Sequence, residues 1–433
     1  MSHQPVVVTG LGSLSALGTG WQSLEAMVLS PSNAFSAVPE PWLAYPGGPD
    51  AWVAALPVEL NAALSAFESV STDRSSAMAL MVAEQAWHQS GLRLPPKGVS
   101  ALSDSFGERA GVYWGSGMGG LHTTEQSYHR VLKDNQILRP MTVVRIMANS
   151  AASHLAIKFQ LRGPNNTYSV ACASSAIALG EAMLAIRSGR IDVALVGGSE
   201  AMLVPLVMSA WGALRVLSTR KSQGDPRLAS RPFCKDRTGL VIGEGAAALV
   251  LESAAHARAR GAKALAQISG FGSSCDAASL VHPAAEGQVR AMRLALIDAG
   301  LAPKHIGSIN AHATGTDAGD VSETKALTEI FAESGNIPPV SATKSIHGHL
   351  LGAAGALEAA ICVASLQLQC LPATLASNPI DTRCAGLDLP DAPRPTTGLN
   401  HIMSNSFAFG GSNASLIFSR INDDAAKTES TTE

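Results

Sequence analysis

Four residues able to do chemistry stand where short β-like runs end: Cys172, His312, Lys344 and His349. Cys172 lies in SVACASSAIALGEAML (169–184), where Ser169-Val170-Ala171 reads as the end of a strand. From Ala176 the apolar positions Leu179, Met183 and Ile186 step by 3, 4 and 3, the spacing of a helix. A helix N-terminus offers unpaired N–H groups and a positive dipole, which favour a nucleophilic thiolate. Against this stands a small buried thiol among alanines, inert as free cysteines often are. This segment alone leaves both readings open. His312 ends a β-like run in SINAHATGTDAGD (308–320), ahead of a glycine-bearing loop. Lys344 ends another in SATKSIHGHLLGAAGALEAA (341–360), and His349 directly precedes a helix with apolar positions Leu350, Ala354, Leu357, Ile361 and Ala364. In open α/β architectures such edges are where sites assemble. One cysteine and two histidines in that position point to nucleophilic catalysis rather than to three separate structural roles.

Those side chains need a framework that gathers distant strand ends. RAGVYWG (109–115), the 173–187 helix and IDVALVGG (191–198) alternate strand with helix, as do HIGSINAH (305–312), SETKALTEIF (322–331) and PVSATKS (339–345). This alternation predicts α/β layers with mainly parallel strands. LNHIMSNSFAF (399–409) and NASLIFSRI (413–421) read as the last strands, and NDDAAKTESTTE (422–433) as a polar, frayed tail. An internal echo pairs VTGLGS (8–13) with ISGFGS (268–273), each an apolar or β-branched run ending in Gly-x-Gly-Ser. The second copy follows a strand, a helix and a glycine stop within GEGAAALVLESAAHARARGAKA (243–264), so a new unit begins there.

With 433 residues, 46% hydrophobic and only 5% aromatic, the chain can bury a large, tightly packed core. Its net charge of −3 argues against nucleic acid, and HRVLKDNQILR (129–139) and HARARGAK (256–263) read as solvated surface. MSHQPVVVTG lacks a charged-then-apolar leader, so export is not expected. The apolar stretch near 350–366 carries Glu358 and falls short of the ~20 residues that span a bilayer. Six cysteines without a CxxC pair predict free thiols in a reducing cytoplasm. GSGMGG (115–120) satisfies G-x-G-x-x-G, but the following segment is a poor amphipathic helix. No strand ending in an acid lies about 20 residues on, so a tight turn is expected there rather than a nucleotide site.

The chain resembles the elongating β-ketoacyl-acyl-carrier-protein synthases of the thiolase superfamily. The resemblance runs from VVVTGLG to NASLIF through RGPNNTYSVACASSAIALGEA, GRIDVALVGGSEA, VLSTR, ASRPFCKDRTGLVIGEGAAALVLE, NAHATGTDAGD, TKSIHGHLLGAAGALEA and NSFAFGGSNAS. It implies a thiolase fold: two related βαβ halves in a five-layered α-β-α-β-α core. Residues 1–262 would carry the nucleophile Cys172, and 263–421 the paired histidines His312 and His349. The resemblance also makes Lys344 catalytic, Glu358 a buried supporting acid, Phe409 a gate and Met118 a lining residue of the acyl pocket. The backbone N–H groups of Cys172 and Phe409 would form the oxyanion hole. No metal and no cofactor are implied.

The implied reaction is a decarboxylative Claisen condensation between an acyl-Cys172 thioester and malonyl-carrier protein, in fatty-acid or type II polyketide or aryl-polyene synthesis. A homodimer through the edge strand near NNTYSVA (165–171) is implied, and a heterodimer with a chain-length factor is the alternative. A Cys-dependent acyl hydrolase is a weaker alternative, and Cys362 and Cys370 do not match the second catalytic cysteine of a degradative thiolase. Arg220, Lys221, Arg227 and Arg231 are candidates for docking an acidic carrier protein. Three departures from the family pattern stand out: Ala313 for the usual Gly after His312, Ala408 and Ser412 in the gate loop, and His347 for a smaller polar residue. Ala408 restricts the backbone beside the gate, which predicts a stiffer gate. His347 reads as a buried hydrogen-bonding group.

Overall fold

The two Gly-x-Gly segments lie side by side at the centre of the molecule, in a computed structural model that describes residues 4–93 and 105–421. The polar tail at 422–433 lies outside the described residues. In the first half the strands along the main path of the central sheet are β1 (Val6–Ser15), β2 (Ala110–Gly115), β3 (Asn165–Tyr168), β4 (Val193–Glu200) and β5 (Gly245–Ser253). They lie in the order β1-β5-β4-β2-β3. The second half supplies β6 (Ala266–Cys275), β7 (Ser308–Asn310), β8 (Val340–Ser341), β9 (His401–Phe407) and β10 (Ser412–Ser419), in the order β6-β10-β9-β7-β8. Strand order and direction therefore repeat: two antiparallel junctions, then two parallel ones, in each half. β1 and β6 pair antiparallel through Val6–Val8 and Ala266–Ile268, so one sheet runs through both halves.

The echo has a packing cause. Both strands carry a bulge just before the first glycine, between Val8 and Gly10 and between Ile268 and Gly270. Helix α1 (Arg74–Ser90) lies so close to β1 that a Cβ on Gly10 or Gly12 would stand 2.0 Å or 1.9 Å from the carbonyl oxygens of Ala86 and Val82. Counterpart positions Gly270 and Gly272 meet the carbonyls of Ala295 and Ala291 at 2.4 Å and 2.1 Å. Any side chain at these four positions would push the outer helix off its sheet.

Between the sheet halves lie two central helices, α2 (Ser174–Arg187) and α3 (Ala354–Leu368). They approach closely enough that a Cβ on Gly355 would come within 2.9 Å of the Ala176 side chain. The outer layers are α1 on one side, with α4 (Ala285–Ala299) and α5 (Asp317–Phe331) on the other, completing the five-layered thiolase fold. The segment Leu351–Leu368 is long and apolar enough to cross a membrane, but it is 89% buried inside the protein. Its leucines and isoleucine are spent on the core, at roughly 1.5–3 kcal/mol for each large side chain.

Each central helix is preceded by a 3-10 turn, Ala171–Ala173 and Leu351–Ala353. This revises the expectation that Ser169–Ala171 ends a strand: β3 stops at Tyr168 and the chain turns sharply first. Ala171 and Leu351 both have φ of 44°, a left-handed conformation that costs a non-glycine residue ~1–2 kcal/mol. Cys172 and Gly352 thus hold equivalent places in the two halves. Lys344 likewise opens a short helix, Lys344–His347, rather than closing a strand.

Candidate active site

The left-handed Ala171 presents Cys172 at the head of α2, 5% exposed, with its Sγ 3.0 Å from Nε2 of His349. The backbone N–H groups of Phe409 and of Cys172 itself also point to the sulfur. Burial nonetheless dominates and pushes the thiol up to about 12, against the opposing pull of Lys344 and those N–H donors. Cys172 thus sits among N–H donors while desolvation opposes its ionisation.

The histidines are neutral and their tautomers are fixed by neighbours. Burial first, then the charge of Lys344, holds both His312 and His349 well below the usual imidazole range. The Leu351 N–H donates to Nδ1 of His349 at 3.2 Å, so the proton of that ring sits on Nε2, the atom facing Cys172. Nδ1 of His312 lies 3.4 Å from the Lys344 ammonium, which has only donors to offer. Its proton is therefore on Nε2 as well. The two rings meet edge-to-face with centroids 5.5 Å apart.

Lys344 and Glu358, both fully buried, form a charge-assisted hydrogen bond that fixes the ammonium beside His312. Burial raises the Glu358 carboxyl and Lys344 opposes the rise. Glu323, which sequence reasoning missed, accepts the N–H groups of His312 (2.8 Å) and Ala313 (2.7 Å) and fixes that corner. Its burial pushes it up to about 7. Ala313 sits at φ 31°, which explains why glycine is the usual occupant. His347 is fully buried, with Nε2 3.2 Å from the Thr343 hydroxyl, and burial drives it down to about 3.

Cys172, His312 and His349 line one cavity of about 490 Å³, whose wall includes Phe407, Ala408 and Phe409. Phe409 stacks on Trp211 with centroids 5.9 Å apart, a contact that the sequence did not disclose. Beneath the sulfur lies an apolar cluster including Met202, Leu203, Val207, Met208 and Leu351. Met118 is not among the residues lining this cavity; it lies 41% exposed on the turn after β2. The N–H groups of Gly117 and Met118, which would cradle a phosphate in a nucleotide site, are taken by the Glu200 carboxylate at 2.7 Å and 3.1 Å.

Three of the four basic candidates are committed locally. Arg220 pairs with Asp50, Arg227 with Asp225, and Arg231 donates to the carbonyls of Ala376 and Asn378. Lys221 is exposed, and an unanticipated residue, the exposed Arg215, stands at the cavity mouth. The ligating atoms of Cys172, His312 and His349 lie within 4.8 Å of one another, a spacing that could hold a metal ion. Each imidazole would have to give up its Nε2 proton for this, and the Lys344 cation beside His312 opposes a second positive charge.

Comparison with known proteins agrees with this geometry. Residues 3–257 match the family described as Beta-ketoacyl synthase, N-terminal domain, and 265–378 match its C-terminal domain. The chain is 42% identical over 337 residues to 3-oxoacyl-acyl-carrier-protein synthase 2 of Vibrio cholerae serotype O1, covering 75% of this chain and 80% of that one. It is 38% identical over 419 residues to Nodulation protein E of Rhizobium meliloti, covering 96% and 99%. A solved type II polyketide ketosynthase in complex with its acyl-carrier protein superposes with a TM-score of 0.85 at 27% identity, over 97% of this chain and all of the other. The ishigamide ketosynthase/chain length factor superposes equally well at 29% identity, with the same coverage. The chain belongs to the beta-ketoacyl synthase family and is an acyltransferase-class enzyme of the thiolase fold.

Proposed function

We propose that the enzyme accepts an acyl group from acyl-carrier protein onto Cys172 and condenses it with malonyl-carrier protein, giving a 3-oxoacyl-carrier product two carbons longer. The observation that carries this is the pair of imidazoles with both Nδ1 atoms occupied, which leaves two Nε2–H donors beside one sulfur.

Each step draws on that arrangement. Transfer onto Cys172 is proton-neutral: the cysteine gives up a proton and the departing carrier thiol takes one. Donors from His349, Phe409 and Cys172 support the sulfur anion in flight. Malonyl thioester then loses carbon dioxide, and the charge that develops on its thioester oxygen meets the two Nε2–H donors. The carbanion attacks the acyl-Cys172 carbonyl, whose oxyanion is held by the N–H groups of Cys172 and Phe409. Collapse expels the Cys172 thiolate, which takes a proton from water. The apolar cluster under Cys172 suits an acyl chain and excludes the water that would hydrolyse it. The test is intact-mass analysis with malonyl-carrier and a panel of acyl-carriers. An acyl adduct on Cys172 with a longer 3-oxoacyl product supports the reading, and product release without malonyl donor would favour the hydrolase instead.

The division into 1–262 and 263–421 is supported by the repeated strand order, which restarts at β6. A cytoplasmic setting is supported by six free cysteines. A homodimer is supported by the edge position of β3 and by the exposure of Leu132 (78%) and Ile137 (87%) on the segment after β2. Changing both residues to lysine is expected to shift sedimentation from a species of twice 44.6 kDa to one of 44.6 kDa. Wild-type monomers that become active only with a chain-length factor would favour the heterodimer.

The gate supplies a further prediction. Gly410 and Gly411, at φ 83° and 76°, make the turn, while Ala408 is pinned by its N–H to the Ser412 carbonyl at 2.8 Å. Removing the Ala408 side chain frees roughly 0.4–1 kcal/mol of backbone entropy for opening, a factor of about 2–5. Ala408→Gly should therefore speed condensation of longer chains by that factor, and equal rates across chain lengths would count against a stiff gate.

A further inference from the structure

Glu200, at the end of β4, is fully buried and does not face the reacting atoms. Its Oε2 accepts the N–H of Gly117 at 2.7 Å and the N–H of Gly352 at 3.0 Å, and its Oε1 accepts the N–H of Met118 at 3.1 Å. The Ser116 hydroxyl adds a fourth donor. The bonded groups come from positions 83 and 152 residues away, in different halves of the molecule. The two segments touch: a Cβ on Gly352 would stand 2.4 Å from the Gly117 nitrogen, and one on Gly117 would meet the Leu351 side chain at 2.9 Å.

Leu351 is the shared part. Its side chain packs in the apolar cluster with Cys172, and its N–H fixes the His349 tautomer. Its left-handed φ of 44° persists only if the surroundings hold it. The Glu200 bond to the next residue's N–H is such a restraint.

We propose that Glu200 is a positioning residue and a determinant of chain-length selectivity. It clamps the Ser116–Met118 turn against Leu351–Gly352, setting the seat of the Leu351 side chain in the apolar cluster with Cys172 and the orientation of His349. The inference rests on the reading of Cys172 and His349 given above. Burial raises the Glu200 carboxyl to about 7 in spite of its donors.

The two oxygens make separable predictions. In Glu200→Gln the amide oxygen belongs on the side with two donors, Gly117 and Gly352, which leaves the amide NH₂ facing the Met118 N–H. His349 then stays ordered while the turn that backs the Leu351 side chain is loosened at Met118. Carbon dioxide release from malonyl-carrier should stay within about twofold of wild type, while discrimination between the longest accepted acyl-carrier and the next length falls roughly 5–10-fold. Glu200→Ala loses both holds, and decarboxylation should drop about 10-fold as well. A purely structural role would lower all rates together and leave the chain-length profile unchanged.

Both variants are assayed as full-length protein, with thermal melting alongside. An unchanged chain-length profile in Glu200→Gln overturns the proposal, whether or not Glu200→Ala folds. If wild type neither condenses nor decarboxylates, the reading of the reaction has failed. The clamp is then read by Cys172 alkylation with N-alkyl maleimides of increasing length. A length cut-off moved by Glu200→Gln supports it, and an unmoved one overturns it.

Discussion

Replacing Cys172 by alanine is expected to abolish condensation, by at least ~10³-fold, while leaving malonyl decarboxylation within about 10-fold of wild type. The two half-reactions draw on different atoms of one cavity. The sulfur is needed to hold the acyl chain, whereas the enolate oxygen is met by the Nε2–H groups of His312 and His349. The reciprocal change, His349→Ala, should cost decarboxylation ~10²–10³-fold, the usual effect of removing one donor from an oxyanion site. It should still permit an acyl adduct on Cys172, since Phe409 and Cys172 keep their N–H groups on the sulfur. Intact-mass and carbon dioxide assays on the two variants read these separately. Because both imidazoles are held well below their usual range, neither should impose a step on decarboxylation near pH 6.5; a step near 7 belongs to Glu323 or Glu200 and should vanish in Glu323→Gln or Glu200→Gln. A neutral-pH step that persists in both carboxamide variants, or a Cys172→Ala variant that still elongates, would sink the assignment.

How far the sequence disclosed this site depended on how local each determinant was. Cys172, His312, Lys344 and His349 stand at the ends of recognisable runs, so their convergence at one edge follows from alternating layers. The Gly-x-Gly echo was legible as a repeat, and its cause is the twofold recurrence of a bulged strand under a close outer helix. The burial of Cys172 was not legible: a helix end is a local property, but the desolvation that raises the thiol is set by Met202, Val207 and Leu351, far along the chain. Glu200 and Glu323 look like ordinary acids in sequence because their donors arrive through the fold. The pairing of the basic candidates was hidden for the same reason. Arg220 reaches Asp50 across 170 residues, and only folding shows that the cavity mouth belongs to Arg215.

The buried Lys344–Glu358 pair gives the second large effect, and it separates stability from chemistry. Removing one partner leaves an uncompensated buried charge, so Lys344→Met or Glu358→Leu alone should cost ~3–5 kcal/mol of stability. Replacing both should recover most of that loss, because two apolar side chains of similar volume need no counter-charge and packing around α3 is preserved. Activity should not recover with it. Without the ammonium, Nδ1 of His312 has no donor to hold it as an acceptor, and the ring is free to place its proton on the wrong nitrogen. Half of the donor pair is then lost in a fraction of molecules, and decarboxylation should fall ~10-fold or more even in the restored double variant. Chemical denaturation and carbon dioxide release on the same four proteins complete the cycle. If activity instead tracks stability through all four, Lys344 serves only to neutralise Glu358, and the His312 tautomer is set by something else.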